Sequence, residues 1–165
     1  MSNLPAVMKT ASETSQELIQ LVSFQLDSEE YGVEVLKVRE IIRMVNITHM
    51  PNSSQHVEGI INLRGKVIPI ISMRKRFGLM EAENSSQTRI IIMGVGEELI
   101  GFIVDSVSEV IRISSGEIQP SPSVAADGVD QEYIAGVINH VEKLLVLLNL
   151  DMMFSGKGRD SSEAL

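Results

Sequence analysis

The chain has no cysteine and no tryptophan. The first absence excludes disulfides, a thiol nucleophile and thiolate metal sites, and it suits a reducing compartment. Aromatics make up 4% of the 165 residues, so a core has to be built from Ile, Val, Leu and Met. Basic residues are also scarce. Lys and Arg number 14 against 22 Asp and Glu, a net charge of −8, which argues against nucleic acid as a partner because a basic face supplies most of the non-specific affinity. A nucleic-acid-binding barrel would further need stacking aromatics, and there are two Tyr and four Phe. No apolar run approaches the ~20 residues of a membrane-spanning helix. The opening MSNLPAVMKTASETSQEL lacks the basic segment followed by an apolar one that marks a signal peptide. The expectation is a cytoplasmic protein with no direct membrane insertion.

Catalytic signatures are missing too. The histidines are His49, His56 and His140, and none has the spacing of a zinc-binding helix. There is no G-x-S-x-G, no phosphate-binding P-loop and no G-x-G-x-x-G opening a helix. Gly94-Val95-Gly96 is followed by strand-like residues and reads as a hairpin turn. Asp105 lacks a candidate partner in sequence and reads as a polar residue at a strand bend. A small hydrolase would need a convergent acid–base or metal pair, and the expectation is instead no enzyme, no metal and no cofactor.

What the chain does contain is itself, twice. At an offset of 69, Gly32, Val38, Glu40, Ile42 and Arg43 fall on Gly101, Val107, Glu109, Ile111 and Arg112. The offset grows to 71 at Ile47 and Pro51, which meet Ile118 and Pro122, and to 77 at Gly59, Asn62 and Lys66, which meet Gly136, Asn139 and Lys143. Offsets that only grow are those of loop insertions between matched elements. Two copies are too few for a solenoid. Each copy spans about 60 residues, a length at which a lone unit is marginal, so the halves are expected to share apolar surface and fold as one domain over 17–154. The expected boundaries are a first barrel at about 17–80 and a second at about 88–154. Disordered and mobile tails are expected at 1–16 and 155–165.

Many short strands at regular spacing indicate an all-β protein. The phase of alternation slips by one at Leu36-Lys37, and again at the matching Asp105-Ser106. A one-residue slip flips every side chain to the other face, so a bulge or bend is required at both places. Val57–Leu63 and Lys66–Ile71 read as a hairpin in which Gly65 supplies positive φ. Short helices are expected over Ser72–Leu79 and Asn149–Phe154, and the loop at 119–132 is the longest insertion.

Several charged residues carry two readings. Glu40 and Glu109 fall on strand phases otherwise occupied by Val and Ile. A buried unpaired carboxylate is costly, so each either guards a sheet edge or meets an arginine or a partner. Arg64, at the tip Asn62-Leu63-Arg64-Gly65-Lys66, is either solvated or a contact. The copy replaces Arg64-Gly65 by Val141-Glu142, as expected if the tips face different partners. Arg74, Lys75 and Arg76 form a local basic patch at a helix end, where cations are favoured.

Glu30-Tyr31-Gly32-Val33, Val38-Arg39-Glu40-Ile41, Gly59-Ile60-Ile61-Asn62-Leu63-Arg64-Gly65 and Val104-Asp105-Ser106-Val107 resemble the CheW family of chemotaxis coupling proteins. The order continues through Glu132-Tyr133-Ile134-Ala135-Gly136 and Leu144–Leu150, so the resemblance runs from about residue 17 to 154. One departure is Ile71-Ser72-Met73-Arg74, where the family usually has an aspartate in place of Ser72. The resemblance implies two five-stranded SH3-like barrels around a shared core, and a non-enzymatic adaptor that links chemoreceptor cytoplasmic helices to the regulatory domain of the histidine kinase CheA within a signalling array at the membrane. It implies a receptor helix in a groove between the barrels, which carries over to Val38, Glu40, Gly59, Arg64, Val107 and Val110. Kinase-contacting residues are not assigned. A related adaptor serving a separate receptor–kinase pathway, such as pilus motility, is the alternative.

Overall fold

A computed structural model describes residues 17–120 and 133–156, so the expected tail at 1–16, all but the first two residues of the one expected at 155–165, and most of the 119–132 loop lie outside the described residues. In chain order the strands are β1 Leu18–Leu26, β2 Glu29–Glu34, β3 Val38–Arg43, β4 Val57–Leu63, β5 Lys66–Ser72, β6 Arg89–Val95, β7 Glu98–Val104, β8 Ser106–Ser114, β9 Ile134–His140 and β10 Lys143–Leu148. A 3-10 turn, Val35–Lys37, joins β2 to β3, and Asp105 alone separates β7 from β8. Both predicted phase slips therefore fall at a break between strands.

The strands form two five-stranded sheets, ordered β8-β1-β2-β10-β9 and β3-β6-β7-β5-β4. Replacing each strand of one order by its copy in the other half converts it into the other order. The architecture is thus all-β and duplicated, as expected. The boundaries of the barrels are not those expected: neither about 17–80 nor about 88–154 makes a sheet by itself. β1 and β2 leave their own half and join β8, β9 and β10, while β6 and β7 join β3, β4 and β5. The exchange occurs at the two breaks, where the chain turns from one sheet into the other. Two parallel pairings seal it, β5 against β7 with Ile70 opposite Gly101, and β10 against β2 with Leu147 opposite Gly32.

Each sheet wraps its own apolar cluster. One is Ile61, Ile68, Ile70, Ile90 and Ile92; the other is Leu21, Ile111, Ile113, Ile138, Leu145 and Leu147. A third, larger cluster between the sheets contains Phe24, Leu26, Met73, Ile91, Met93, Phe102 and Met153. Alternation sends successive side chains to opposite faces. Ile90 and Ile92 therefore enter the inner cluster of their sheet, while Ile91 and Met93 enter the shared one. Fully burying one such side chain contributes roughly 1.5–3 kcal/mol, so the shared face is a large fraction of what holds either sheet.

Glycines sit where strands approach too closely for a side chain. A Cβ on Gly32 would strike the Leu145 side chain, and one on Gly101 the Ile70 side chain. Gly59, with φ 150°, and Gly136 lie beneath the isolated bridges Thr48–Ile60 and Gln119–Val137, themselves related by the repeat. Both hairpin tips use two residues of positive φ, the two-residue geometry that suits strand twist. In the first tip these are Arg64 (51°) and Gly65 (89°), so the glycine was not the only residue required; in the second they are Val141 (50°) and Glu142 (63°).

Candidate functional site

The expected site residues divide between the two sheets. Val38 and Glu40 lie on β3, Gly59 on β4 and Arg64 at the β4–β5 tip; Val107 and Val110 lie on β8. Strands β3 and β8 are copies of one another, and each begins directly after a crossover break. Val38 and Val107, the same position in the two repeats, both pack half-buried against the shared cluster. Val110 is 57% exposed and its copy Ile41 is 38% exposed. Gly59 is buried and carries no side chain; it lets the Thr48 backbone close over β4.

Glu40 and Arg64 meet each other. The Arg64 guanidinium donates to both Glu40 oxygens, one of these bonds measuring 3.3 Å. β3 and β4 are the two edges of their sheet, so the pair spans the seam where the sheet closes. The arginine's hydrogen bond holds the Glu40 carboxyl below the usual carboxylate range, and Glu40 in turn raises Arg64. Arg64 keeps 70% of its side chain exposed, so its far face remains available. In the other sheet Glu109, the copy of Glu40, lies 3.4 Å from His140 across the equivalent β8–β9 seam. The sequence readings of Glu40 as an edge charge and as an arginine partner are both met, with Arg64 as the arginine.

The basic patch after β5 belongs to a four-residue helix, α1 Met73–Arg76. Ser72, at the position where an aspartate was expected, caps it by accepting from the Lys75 amide at 3.2 Å. Serine and aspartate serve about equally at such a cap, so the departure leaves the helix intact. Sequence reasoning missed the partners of this patch, several of which are distant in the chain. Arg74 Nε and Nη2 donate to the two Asp105 oxygens at 2.9 and 2.7 Å, and Nη1 donates to the Met80 carbonyl at 2.6 Å. The Asp27 amide adds a bond to Asp105 at 2.8 Å. Burial pushes the Asp105 carboxyl up, but the Arg74 and Asp27 hydrogen bonds and the arginine charge outweigh it and leave the group below its ordinary value. Asp105 therefore has a partner after all. Lys75 pairs with Glu58 at 2.9 Å and Glu81 at 3.5 Å. Arg76 lies over the Tyr133 ring, 4.7 Å from its centre, a cation–π contact that also escaped the sequence.

A cleft of about 470 Å³ beside α1 is lined by Glu58, Glu81, Asp105, Arg74 and Lys75 among others. Each of these three carboxylates is bonded to one of the two cations, and Glu83 lines the cleft as well. Among the described residues no group of three or more His, Asp or Glu is placed to hold a metal ion, and no helix is long and apolar enough to cross a membrane.

Comparison with known proteins gives consistent matches. The CheW-like domain family model matches residues 20–157. The chain is 37% identical to the chemotaxis protein CheW of Treponema pallidum over 147 residues, covering 87% of this chain and 86% of that one. It is 32% identical to CheW of Klebsiella aerogenes, covering 95% and 93%. Among solved structures it resembles the scaffolding protein TtCheW from Thermoanaerobacter tengcongensis, with a TM-score of 0.76 and 37% identity over 82% of this chain and 92% of that one.

Proposed function

The chain belongs to the CheW family of chemotaxis proteins, and from this premise we propose that it is a non-enzymatic adaptor coupling chemoreceptor cytoplasmic tips to the regulatory domain of the histidine kinase CheA. In this role it works in the cytoplasm, recruited to receptor arrays that it helps to assemble. The observation that carries the reading is the paired placement of Val38 and Val107. One position of the repeat, present on strands of both sheets, flanks the single cluster between them, with exposed Val110 and the Glu40–Arg64 pair farther along. An apolar seam bordered by one ion pair suits the stripe of an amphipathic receptor helix, whose apolar side would cover the valines.

In this reading Val38, Val107 and Val110 supply apolar contact, Gly59 acts indirectly by letting the Thr48 backbone close over β4, and Arg64 offers its exposed face to an acidic group on the helix while Glu40 orients it. The ion pairs beside α1 support a structural role for Glu58, Glu81 and Asp105. Calorimetric titration of the chain with a receptor cytoplasmic fragment, then with the kinase regulatory domain added, tests the proposal. Saturable binding of both at once is expected; binding of neither, by protein with an intact melting transition, would overturn it.

A further inference from the structure

Arg74 and Asp151 occupy the same place in the two repeats, 77 residues apart, each in the short helical segment after the last strand of its repeat. They carry opposite charges. Arg74 binds Asp105 at the break after β7, and Asp151 binds Lys37 at the break after β2. Position 105 is the copy of position 36, so Lys37 stands one residue beyond the equivalent of Asp105. The two ion pairs are therefore related by the repeat, with their polarity reversed. One is largely enclosed, with side-chain exposures of 16% and 31%; the other is at 42% and 42%.

We propose that this reversed polarity selects the exchanged strand connectivity over the alternative in which each half closes on itself. The strands of the two halves are near-copies, so backbone pairing alone discriminates poorly between β5 beside β7 and β5 beside β2. In the observed arrangement β5 lies beside β7, and Arg74 reaches Asp105; β10 lies beside β2, and Asp151 reaches Lys37. In the self-closed arrangement β5 would lie beside β2 and β10 beside β7. Arg74 would then face Lys37, and Asp151 would face Asp105. Both contacts turn from attraction to like-charge repulsion, and the second would sit at the more enclosed site, where an unpaired charge is costly. Building repulsion into the wrong pairing is a recognised route to specificity. Because β3 and β8 start directly after the two breaks, the same pairs decide which strands flank the shared core, whatever docks there.

Two kinds of charge exchange separate polarity from mere loss of an ion pair. Exchange within a pair, Lys37→Asp with Asp151→Lys or Arg74→Asp with Asp105→Arg, preserves opposite charges in the observed connectivity. Exchange between pairs, Arg74→Asp with Asp151→Arg, makes both contacts repulsive there and both attractive in the self-closed one. All three variants keep the net charge. The reporters are nuclear Overhauser contacts of methyl-labelled Ile70 and Leu145, whose side chains lie against Gly101 and Gly32 in the exchanged fold and would lie against Gly32 and Gly101 in the other. The within-pair variants are expected to keep the wild-type contacts and a melting midpoint near wild type. The between-pair variant is expected to lose the Ile70–Gly101 contact, or to melt at least about 3 °C below the better within-pair variant. Wild-type contacts in the between-pair variant, with a midpoint equal to or above those of the within-pair variants, would overturn the proposal.

Discussion

Glu40 and Arg64, which the sequence marks as separate candidates for contact with a partner, are bonded to each other across the seam between the two edge strands of one sheet. The second sheet closes the equivalent seam with Glu109 and His140. A pair this exposed is worth little to stability, since surface ion pairs contribute about 0–1 kcal/mol. Its use lies in orienting Arg64. Glu40→Gln is therefore expected to change the unfolding free energy by no more than about 1 kcal/mol, while weakening receptor-fragment binding through a less ordered arginine. Denaturant unfolding alongside calorimetric binding checks both effects.

Gly59 and Gly65 are both glycines of positive φ, yet their substitutions should differ sharply. A Cβ at Gly59 would overlap the Thr48 carbonyl, whereas at Gly65 nothing lies within 4 Å. Gly59→Ala is expected to cost about 3 kcal/mol or more, combining strain with a displaced bridge. Gly65→Ala is expected to cost about 1 kcal/mol from backbone conformation alone. Chemical denaturation of the two variants gives the comparison, and equal losses would contradict the close-approach account.

Val141 holds φ at 50° on an exposed tip. A β-branched residue in the left-handed region is strained, whereas asparagine tolerates it. Val141→Asn is expected to stabilise the protein by about 1 kcal/mol, read as a higher denaturation midpoint with an unchanged slope.

Asp105 gives the protein an acid sensitivity. Its carboxyl is held below the ordinary value in the fold, while the unfolded chain titrates near about 3.9. The unfolded state thus binds the proton first as pH falls. The stability Asp105 contributes is present above that value and is lost as pH drops through the folded one. Melting midpoints of the wild type and Asp105→Asn should converge below about pH 4 and separate above it. A constant gap between them across pH 2–6 would show that the charge is not what the fold uses.

Much of this architecture can be read in the chain before any coordinates. The repeat, the two phase slips, the hairpins and the helix after Ile71 all follow from periodicity, and the observed breaks at Val35–Lys37 and Asp105 fall where alternation fails. The exchange of β1-β2 and β6-β7 between halves does not follow, because copies of a strand present the same pattern to either partner. The one local signal was the sign difference between Arg74 and Asp151, visible only when the two are aligned. The site was legible in part. Glu40 and Arg64 are conspicuous by their phase and turn, but their mutual bond depends on the sheet closing. Arg74–Asp105 and Arg76–Tyr133 join segments too far apart in the chain for spacing to reveal.

The exchange also sharpens the expectation for fragments. Residues 1–83 contain β1 to β5, but β1 and β2 lose β8 and β10, and β3 and β5 lose β6 and β7. Expressed alone, this fragment is expected to lack a cooperative transition by circular dichroism. A sharp transition would mean that the first half closes on itself.

The most direct test of the adaptor account is the affinity of the chain for a chemoreceptor cytoplasmic fragment, measured for wild type, Val110→Glu and Lys143→Glu. Val110 is 57% exposed on β8, so a glutamate there spares the core; Lys143, at the start of β10, is exposed as well and lies outside the proposed seam. The account predicts that Val110→Glu weakens binding about tenfold or more, as a charge placed in an apolar contact does, with an unchanged melting midpoint, while Lys143→Glu binds like wild type. Equal affinity of wild type and Val110→Glu would contradict docking of the receptor helix along β8.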